Sequence, residues 1–504
     1  MKNLFLNIDP SNKQTKKTIG NFIRRKMLIE KEFSWIIFAF FLLISIILAY
    51  TISSFGISIG FLEVTILVSI PILYYVIIKP EFGIILYLTL AYTFFYISRL
   101  RITGDFPLGT LMDGLLLLFI FVLLIQMKEK NEWHLLKNKI SFFIILWVFY
   151  NIIQVFNPSA ESKLAWVYTI RSMALVTLMY FIFVFNIRTK KFIRTILKWW
   201  ILWSILNAFY AIKQEYLGFS NIEQHLLDIN PQLATLLYVG GHWRKFSIFA
   251  DPVTFAYNMD AAIFLCLALI TGPMKMYKKI LLGFLVILFF NVMLFSGTRS
   301  ANPLIPIGLV LFAILKFNKK VLLFTISALF FIIFLIFLPT SNSNLFRFQT
   351  AFRPKQDESY QAREVNQALI KPYIYSHPFG GGLGATGEWG SRFSANSYLG
   401  KFQPDSGYVR TTVELGWIGL LLFSMMIFVI LQTGIINYFK ILDPELKSYL
   451  LAVVLMVFIW NIGNFPQQAI VQYPSNVLFF LAVALIVAIY RIDQQQNLVV
   501  DEKH

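Results

Sequence analysis

From residue 34 to residue 490 the chain repeats one pattern: a run of about 20 apolar residues, a short polar break, then another apolar run. A helix of that length crosses the hydrocarbon of a bilayer and satisfies its own backbone hydrogen bonds there. Fourteen runs can be drawn, near 34–52, 57–78, 82–99, 109–127, 140–156, 166–187, 195–213, 252–271, 279–296, 301–316, 321–339, 407–433, 448–465 and 474–490. A soluble core is excluded. Of 504 residues 58% are hydrophobic, 52 are Phe and only 14% are charged, more apolar surface than a water-soluble fold of this size buries. The expected fold class is an all-α polytopic membrane protein of about 14 transmembrane helices with a large, partly helical extracytoplasmic loop. Its expected parts are a basic N-terminal segment (1–33), helices 1–11 (34–339) with an outer loop at 214–251, the large loop (340–406), helices 12–14 (407–490) and a tail (491–504). The N-terminal segment has no cleavable signal pattern, so the first span reads as an uncleaved anchor. Cys266, the single cysteine, supplies neither an internal disulfide nor a metal cluster.

The net charge of +18 is distributed by topology. Loops on the N-terminal side of the spans carry 28 of the 44 Lys and Arg, concentrated in short segments. That density marks the cytoplasmic side and puts both termini there. A nucleic-acid partner is therefore not expected. The composition of the two sides also differs. The cytoplasmic 28 are 23 Lys and 5 Arg, whereas the other 16 are 10 Arg and 6 Lys. Lys is a generic solvated anchor, but Arg holds phosphate or carboxylate through a planar fork. The outer face is thus selectively rich in anion-binding chemistry, with surface ion pairing as the alternative.

Two outer segments are long. In Gln214–Asp251 the stretch "NIEQHLLDINPQLATLLYV" suits short amphipathic helices, and His242, Arg244 and Lys245 follow it. The second, from Thr340 to about Ser406, holds Arg347, Arg353, Lys355, Arg363, Lys371, Arg392 and Lys401. It is too long for an idle connector and reads as a helix over 359–375 with a turn at Pro378. The following "HPFGGGLGATGEWG" contains a formal G-x-G-x-x-G, but no βαβ unit surrounds it, so a dinucleotide site is rejected. Chain reversal, or backbone N–H groups offered to a phosphate, remain. Arg171 lies about one helical turn or more inside a span, and Arg299 lies among small residues in "SGTRSA". Asp113 and Asp260 also fall within spans. The stretch "PDSGYVRTTVELGW" crowds Asp405, Arg410 and Glu414 at the mouth of the twelfth span. Charges at that depth usually carry function. Structural readings stand beside this one: a helix-start aspartate, and an Arg410–Glu414 pair four residues apart on one face.

The order of these pieces resembles the O-antigen polymerase and O-antigen ligase superfamily of bacterial surface-polysaccharide assembly. The matching stretches are a basic residue ahead of "FSIFADPVTFAYNM", then "SGTRSA", then "REVNQALIKPYIYSHPFGGGLG", then "PDSGYVRTTVELGWIGLLLF". They cover about residues 240–433. Where many members, ligases especially, have a His-Asn pair before the span that follows the large loop, this chain has Asp405-Ser406. That departure favours a polymerase over a ligase.

The resemblance implies a glycosyltransferase of the bacterial cytoplasmic (inner) membrane with its active site outside. Its donor is a glycan on polyprenyl pyrophosphate, and a sugar hydroxyl attacks the anomeric carbon. No cofactor and no metal are implied. Asp405 is then the candidate base, with Glu414 orienting Arg410 as the second acid of the site. Arg171, Arg244, Arg299, Arg363, Arg410 and His377 are the candidate pyrophosphate- and glycan-binding residues. The implied partners are the lipid-linked donor and acceptor, the bilayer, and flippase and chain-length regulator proteins. A ligase that differs only in its acceptor is the nearest alternative. A lipid-linked oligosaccharide transporter fits less well, because such folds show internal repeats and none is visible here. In a Cys266→Ser background, a cysteine placed at Ser391 is expected to react with a membrane-impermeant thiol reagent from outside, and one at Asn131 is not. The reverse labelling pattern would invert this topology.

Overall fold

The structure, a computed structural model, describes residues 31–55, 70–100, 108–239, 241–353 and 358–501. Helix α1 (Lys31–Phe55) belongs to a small unit formed from residues 1–75 and 103–106. The larger unit comprises residues 76–102 and 107–504. Its long helices are α2 (Pro80–Leu100), α3 (Leu108–Lys130), α4 (Lys139–Ile153), α5 (Lys163–Asn186) and α6 (Lys190–Tyr216). Two short helices follow, α7 (Asn221–Ile229) and α8 (Pro231–Leu237), then a two-residue hairpin of β1 (Tyr238–Val239) and β2 (His242–Trp243). Then come α9 (Pro252–Ile270), α10 (Met276–Phe295), α11 (Leu304–Leu315) and α12 (Lys319–Phe337). The large loop contains α13 (Ser343–Thr350), α14 (Glu358–Ser376) and α15 (Gly387–Phe393). The chain closes with α16 (Gly407–Lys440), α17 (Pro444–Gly463) and α18 (Ser475–Asp501).

Among the described residues, 11 helices are long and apolar enough to cross a membrane. They match eleven of the fourteen apolar runs, so the chain is an all-α polytopic membrane protein, but the count among the described residues is eleven. Three runs account for the difference. The run near 34–52 lies in α1, where the apolar helical stretch is Phe41–Ser54. The run near 57–78 falls mostly outside the described residues. The run at 301–316 forms only α11, 12 residues long. The chain turns through 296–303 first, with Gly297 at φ 58°, and Asn302 precedes a proline, which disfavours helix. A 12-residue helix spans only about 18 Å, short of the hydrocarbon thickness.

Helices α9, α17 and α18 form the centre of the bundle. Their apolar windows are 89%, 78% and 83% buried, against 11% for α12 at the periphery. Small residues permit this closeness, as in membrane bundles generally. Ala256, Ala261, Ala262 and Ala268 are fully buried on α9. A Cβ added to Gly308 of α11 would stand 2.3 Å from the Phe264 ring.

The bundle has two chemically different ends. At one, Arg188 meets Glu132, and Lys190 and Arg194 meet Glu445. Lys190 also holds Asp443, and Arg491 donates to the carbonyls of Val184 and Ile187. These residues come from the loops counted above as cytoplasmic. Helix α6, 27 residues and thus about 40 Å long, runs from that cluster to the other end. There the described parts of segments 217–251, 296–303, 338–406 and 464–474 meet around one cavity. Glu223 of α7 fastens the first of them, accepting from Gln214 Nε2 at 2.7 Å and lying 3.5 Å from Arg99 Nη1.

Gly308→Ala is expected to lower thermal stability by about 1–3 kcal/mol, the usual scale for overpacking a tight core. Gly283→Ala, where nothing lies within 4 Å of the new Cβ, is expected to be neutral or slightly stabilising. Melting curves of the two purified variants test the pair.

Candidate functional site

The site end is organised around a break in α16. Gly416 has φ 68° and ψ −169°, so the helical ladder stops for one turn. Inside a membrane protein the carbonyls freed by such a break need partners, and each receives one. Val413 O accepts from Gly381 N and Glu414 O from Gly382 N, both at 2.9 Å. Leu415 O accepts from the Tyr150 hydroxyl at 2.7 Å. In return, Trp417 N donates to Pro378 O at 2.9 Å. The glycine-rich turn is thus docked into the broken helix. A Cβ on Gly416 would meet Pro378 O at 2.1 Å, and one on Gly380 would meet Glu414 O at 2.5 Å. This is chain reversal with a close backbone approach, and the N–H groups of Gly381, Gly382, Gly384 and Thr386 are committed to α16 rather than offered to a phosphate.

Glu414 completes the joint. It is 1% exposed. Its Oε2 accepts from Gly384 N at 3.0 Å, and its Oε1 accepts from Thr386 N, the Thr386 hydroxyl and Arg410 Nε. Every one of these partners donates to the carboxyl oxygens. Arg410 passes the connection on: its Nη1 donates to Gln468 Oε1 at 2.8 Å, and Gln468 Nε2 donates to Pro404 O. The residue after Pro404 is Asp405. The helix N-cap is Ser406, whose hydroxyl accepts from Val409 N, so Asp405 is not the capping group.

Asp405 opens onto a cavity of about 490 Å³. Four guanidinium groups line it, from Arg244, Arg299, Arg347 and Arg363, together with the carboxylates of Asp251 and Asp405. Gln467, Gln468 and Gln472 of the α17–α18 connection complete the polar wall. Each arginine arrives on a different element. Arg244 follows β2, and its Nε donates to Ser296 O at 2.9 Å and its Nη2 to the Thr298 hydroxyl at 3.2 Å. Arg299 sits in the α10–α11 turn, which Tyr257 of α9 pins through Ser300 Oγ at 3.0 Å. Arg363 lies near the start of α14. Arg347 is driven inward by α13, whose Gln349 is tied to the carbonyls of Leu335 and Leu338 and whose Phe348 packs on Phe290. Arg347 is 6% exposed, and its Nη1 is buried without a hydrogen-bond partner among the described residues. Gly297 makes that approach possible, since a Cβ there would stand 2.7 Å from Nη1.

The electrostatics follow from this crowding. Burial, together with the charges of Arg347, Arg299 and Arg363, pushes the Arg244 guanidinium down to about 10 against the pull of Asp251. Arg347 is lowered by burial and by Arg299, against Glu215. Both remain cations at neutral pH, at a cost that an anion in the cavity relieves. Burial lifts the Asp405 carboxyl above its ordinary range, and Arg363 opposes that shift. Asp251 is occupied as the N-cap of α9, accepting from Val253 N and Thr254 N at 2.8 and 2.9 Å.

Of the residues singled out in the sequence, Arg244, Arg299, Arg363 and Asp405 share this cavity. Arg410 and Glu414 lie one step behind it, lining a small neighbouring pocket. Arg171 lies apart in the π-helical turn Arg171–Leu175 of α5, paired with Asp113 of α3. His377 stacks flat on Tyr373, centroids 3.9 Å apart, at the far end of α14 from Arg363. Sequence reasoning did not assign Arg347 or the three glutamines. Arg347 was one of several loop cations without a motif, and the glutamines are uncharged. No group of three His, Cys, Asp or Glu side chains suited to a metal occurs among the described residues.

An arginine-lined cavity at one end of a polytopic helical bundle is the class that fold and site define. Residues 284–424 match the family model of O-antigen ligase. The matched stretch carries Arg299, Arg347, Arg363, Asp405, Arg410 and Glu414, and leaves Arg244 and Gln468 outside. No curated protein matches the chain.

Glu414→Gln places an amide N–H₂ or leaves an oxygen short among four donors. It is expected to loosen the glycine-rich turn at a cost of about 1–3 kcal/mol. Limited trypsin digestion reads this directly: cleavage after the exposed Arg392 accelerates in the variant, and unchanged cleavage would mean that Glu414 does not hold the turn.

Proposed function

We propose that the chain is a membrane glycosyltransferase that polymerises oligosaccharide repeat units linked to polyprenyl pyrophosphate, on the outer face of a bacterial cytoplasmic membrane. The observation that carries this reading is the convergence of four arginines and a carboxyl with a raised pKa on one cavity. In the reaction, the acceptor sugar hydroxyl forms a bond to the anomeric carbon of the donor. The bond from that carbon to the pyrophosphate oxygen breaks, and polyprenyl pyrophosphate leaves. Asp405 receives the hydroxyl proton. Arg244, Arg299, Arg347 and Arg363 stabilise the charge that grows on the leaving group, as fixed cations in a partly desolvated site do. Arg410, Glu414 and Gln468 hold the peptide that carries Asp405.

The ligase reading has its own support in the family match at residues 284–424. Only the acceptor separates the two. Reconstitution with a lipid-linked repeat unit decides: a ladder of products supports polymerisation, and a single block on a separate acceptor supports ligation. Neither product would refute both.

Asp405→Asn is expected to lower turnover by roughly 10²–10⁴, the usual scale of acid–base assistance. A base works ionised. Because burial raises the Asp405 pKa, wild-type activity is present above that pKa and lost as pH falls through it, at a higher pH than for an ordinary carboxylate. The pH–rate profile of Asp405→Asn should lack that limb. Arg299→Lys keeps charge but loses the fork and is expected to cut polymer formation strongly. Arg171→Lys, with the charge still facing Asp113, is expected to be much milder. Equal losses in the two lysine variants would refute the assignment of pyrophosphate to the cavity.

A further inference from the structure

One wall of the arginine cavity is apolar. Leu236 and Val239 line it, although they are 59% and 39% exposed. Local folding puts them there. Helix α8 buries Leu237 against Leu227 and Phe246, and the preceding helix position points about 100° away from that cluster. The hairpin pairs Tyr238 with Trp243 and Val239 with His242. Tyr238 packs on the Trp243 ring at 4.9 Å, so strand alternation sends Val239 and His242 to the opposite face. The backbone carbonyl of that same His242 accepts from Arg347 Nη2 at 3.5 Å, and the ladder continues with Arg244 N donating to Leu237 O at 2.9 Å. The apolar lip is therefore continuous with two of the four guanidinium groups.

We propose that Leu236 and Val239 form a hydrocarbon subsite for the first prenyl units of a lipid whose diphosphate lies among Arg244, Arg299, Arg347 and Arg363. The proposal rests on the functional reading above and adds the wall by which the lipid chain leaves the cavity. Charge complementarity selects the diphosphate head. The lip gains nothing from a free diphosphate or a sugar, but it removes hydrocarbon from water when a prenyl chain lies across it. A ligand that is anionic at one end and apolar within a few ångströms uses both walls at once.

The test is a comparison of binding increments with the full chain in nanodiscs of one composition, using inorganic pyrophosphate and farnesyl diphosphate as probes. Partition of the prenyl chain into the bilayer is the same for every variant and cancels in the comparison. Wild type should bind farnesyl diphosphate more tightly than pyrophosphate. In the double variant Leu236→Gln, Val239→Gln that advantage should shrink by about tenfold, the equivalent of one apolar side chain's burial, with pyrophosphate affinity retained. Retained pyrophosphate binding also shows that the variant is folded, and Leu236→Met should restore much of the advantage when introduced in place of Leu236→Gln. An undiminished advantage in the double variant would mean that the two residues only touch the bilayer; it overturns the subsite and leaves the diphosphate reading standing. A wild type that binds neither probe overturns both.

Discussion

The site end of the molecule depends on one buried carboxylate in one broken helix turn. A transmembrane helix that interrupts its ladder must find partners for the freed carbonyls, and here the partner is a run of glycines thirty residues earlier in the chain. Glycine is required at Gly380 and Gly416 for a plain reason: φ is 74° and 68°, and each occupies the space that a Cβ on the other would need. Glu414 then converts that backbone contact into an ionic joint with Thr386 and Arg410. An unpaired carboxylate this deeply buried would cost several kcal/mol. With four donors around it, the same burial makes the joint specific. Through Arg410 and Gln468 the joint reaches Pro404, so the geometry at Asp405 is set by a chain of contacts that begins behind the cavity, at Glu414.

The cavity inverts the usual logic of a folded interior. Four guanidinium groups face two carboxylates, one of which caps a helix and the other of which has a raised pKa. Like charges gathered in a partly desolvated space repel, and the fold sustains them by rigid means. Arg244 is tied to Ser296 and Thr298, the α10–α11 turn carrying Arg299 is pinned by Tyr257, and α13 drives Arg347 inward on Phe348 and Gln349. Each arginine is positioned by a different element. Removal of one should therefore leave the others in place, which is the arrangement expected of a preorganised receptor rather than a surface ion-pair network.

Much of the fold was legible in the sequence because hydrophobic length is read residue by residue. Eleven runs became helices long and apolar enough to cross a membrane, the helix expected at 359–375 formed as Glu358–Ser376, and the amphipathic stretch after Gln214 formed two short helices. What the sequence obscured was three-dimensional pairing. Arg171 and Asp113 are 58 residues apart and belong to different spans, so nothing local announced that they meet. Arg347 and Arg353 look alike in the sequence, and only the seating of α13 brings Arg347 to the cavity. Gln468 was invisible because a neutral side chain between two apolar spans raises no flag. The break around Arg299 was visible between two apolar runs, but the second run was drawn from 301, because Ala301, Asn302 and Pro303 carry no charge; they belong to the turn instead, and α11 is 12 residues long.

Two helices start beside the cavity: α9 at Pro252, which lines it, and α16 at Gly407, two residues after the lining Asp405. Each N-terminus carries a partial positive charge, but the donors of its first turn are already engaged. Asp251 already accepts from Val253 N and Thr254 N, and Pro252 has no N–H to offer. At α16, Ser406 accepts from Val409 N. The backbone donors that usually hold phosphate at a helix start are therefore largely spent, and the glycine-rich turn has spent its own on α16. What is left to hold an anion is side-chain chemistry. Guanidinium groups have direction as well as charge, which ties the selectivity of the cavity to the fork geometry of its arginines more than to the net field of the bundle.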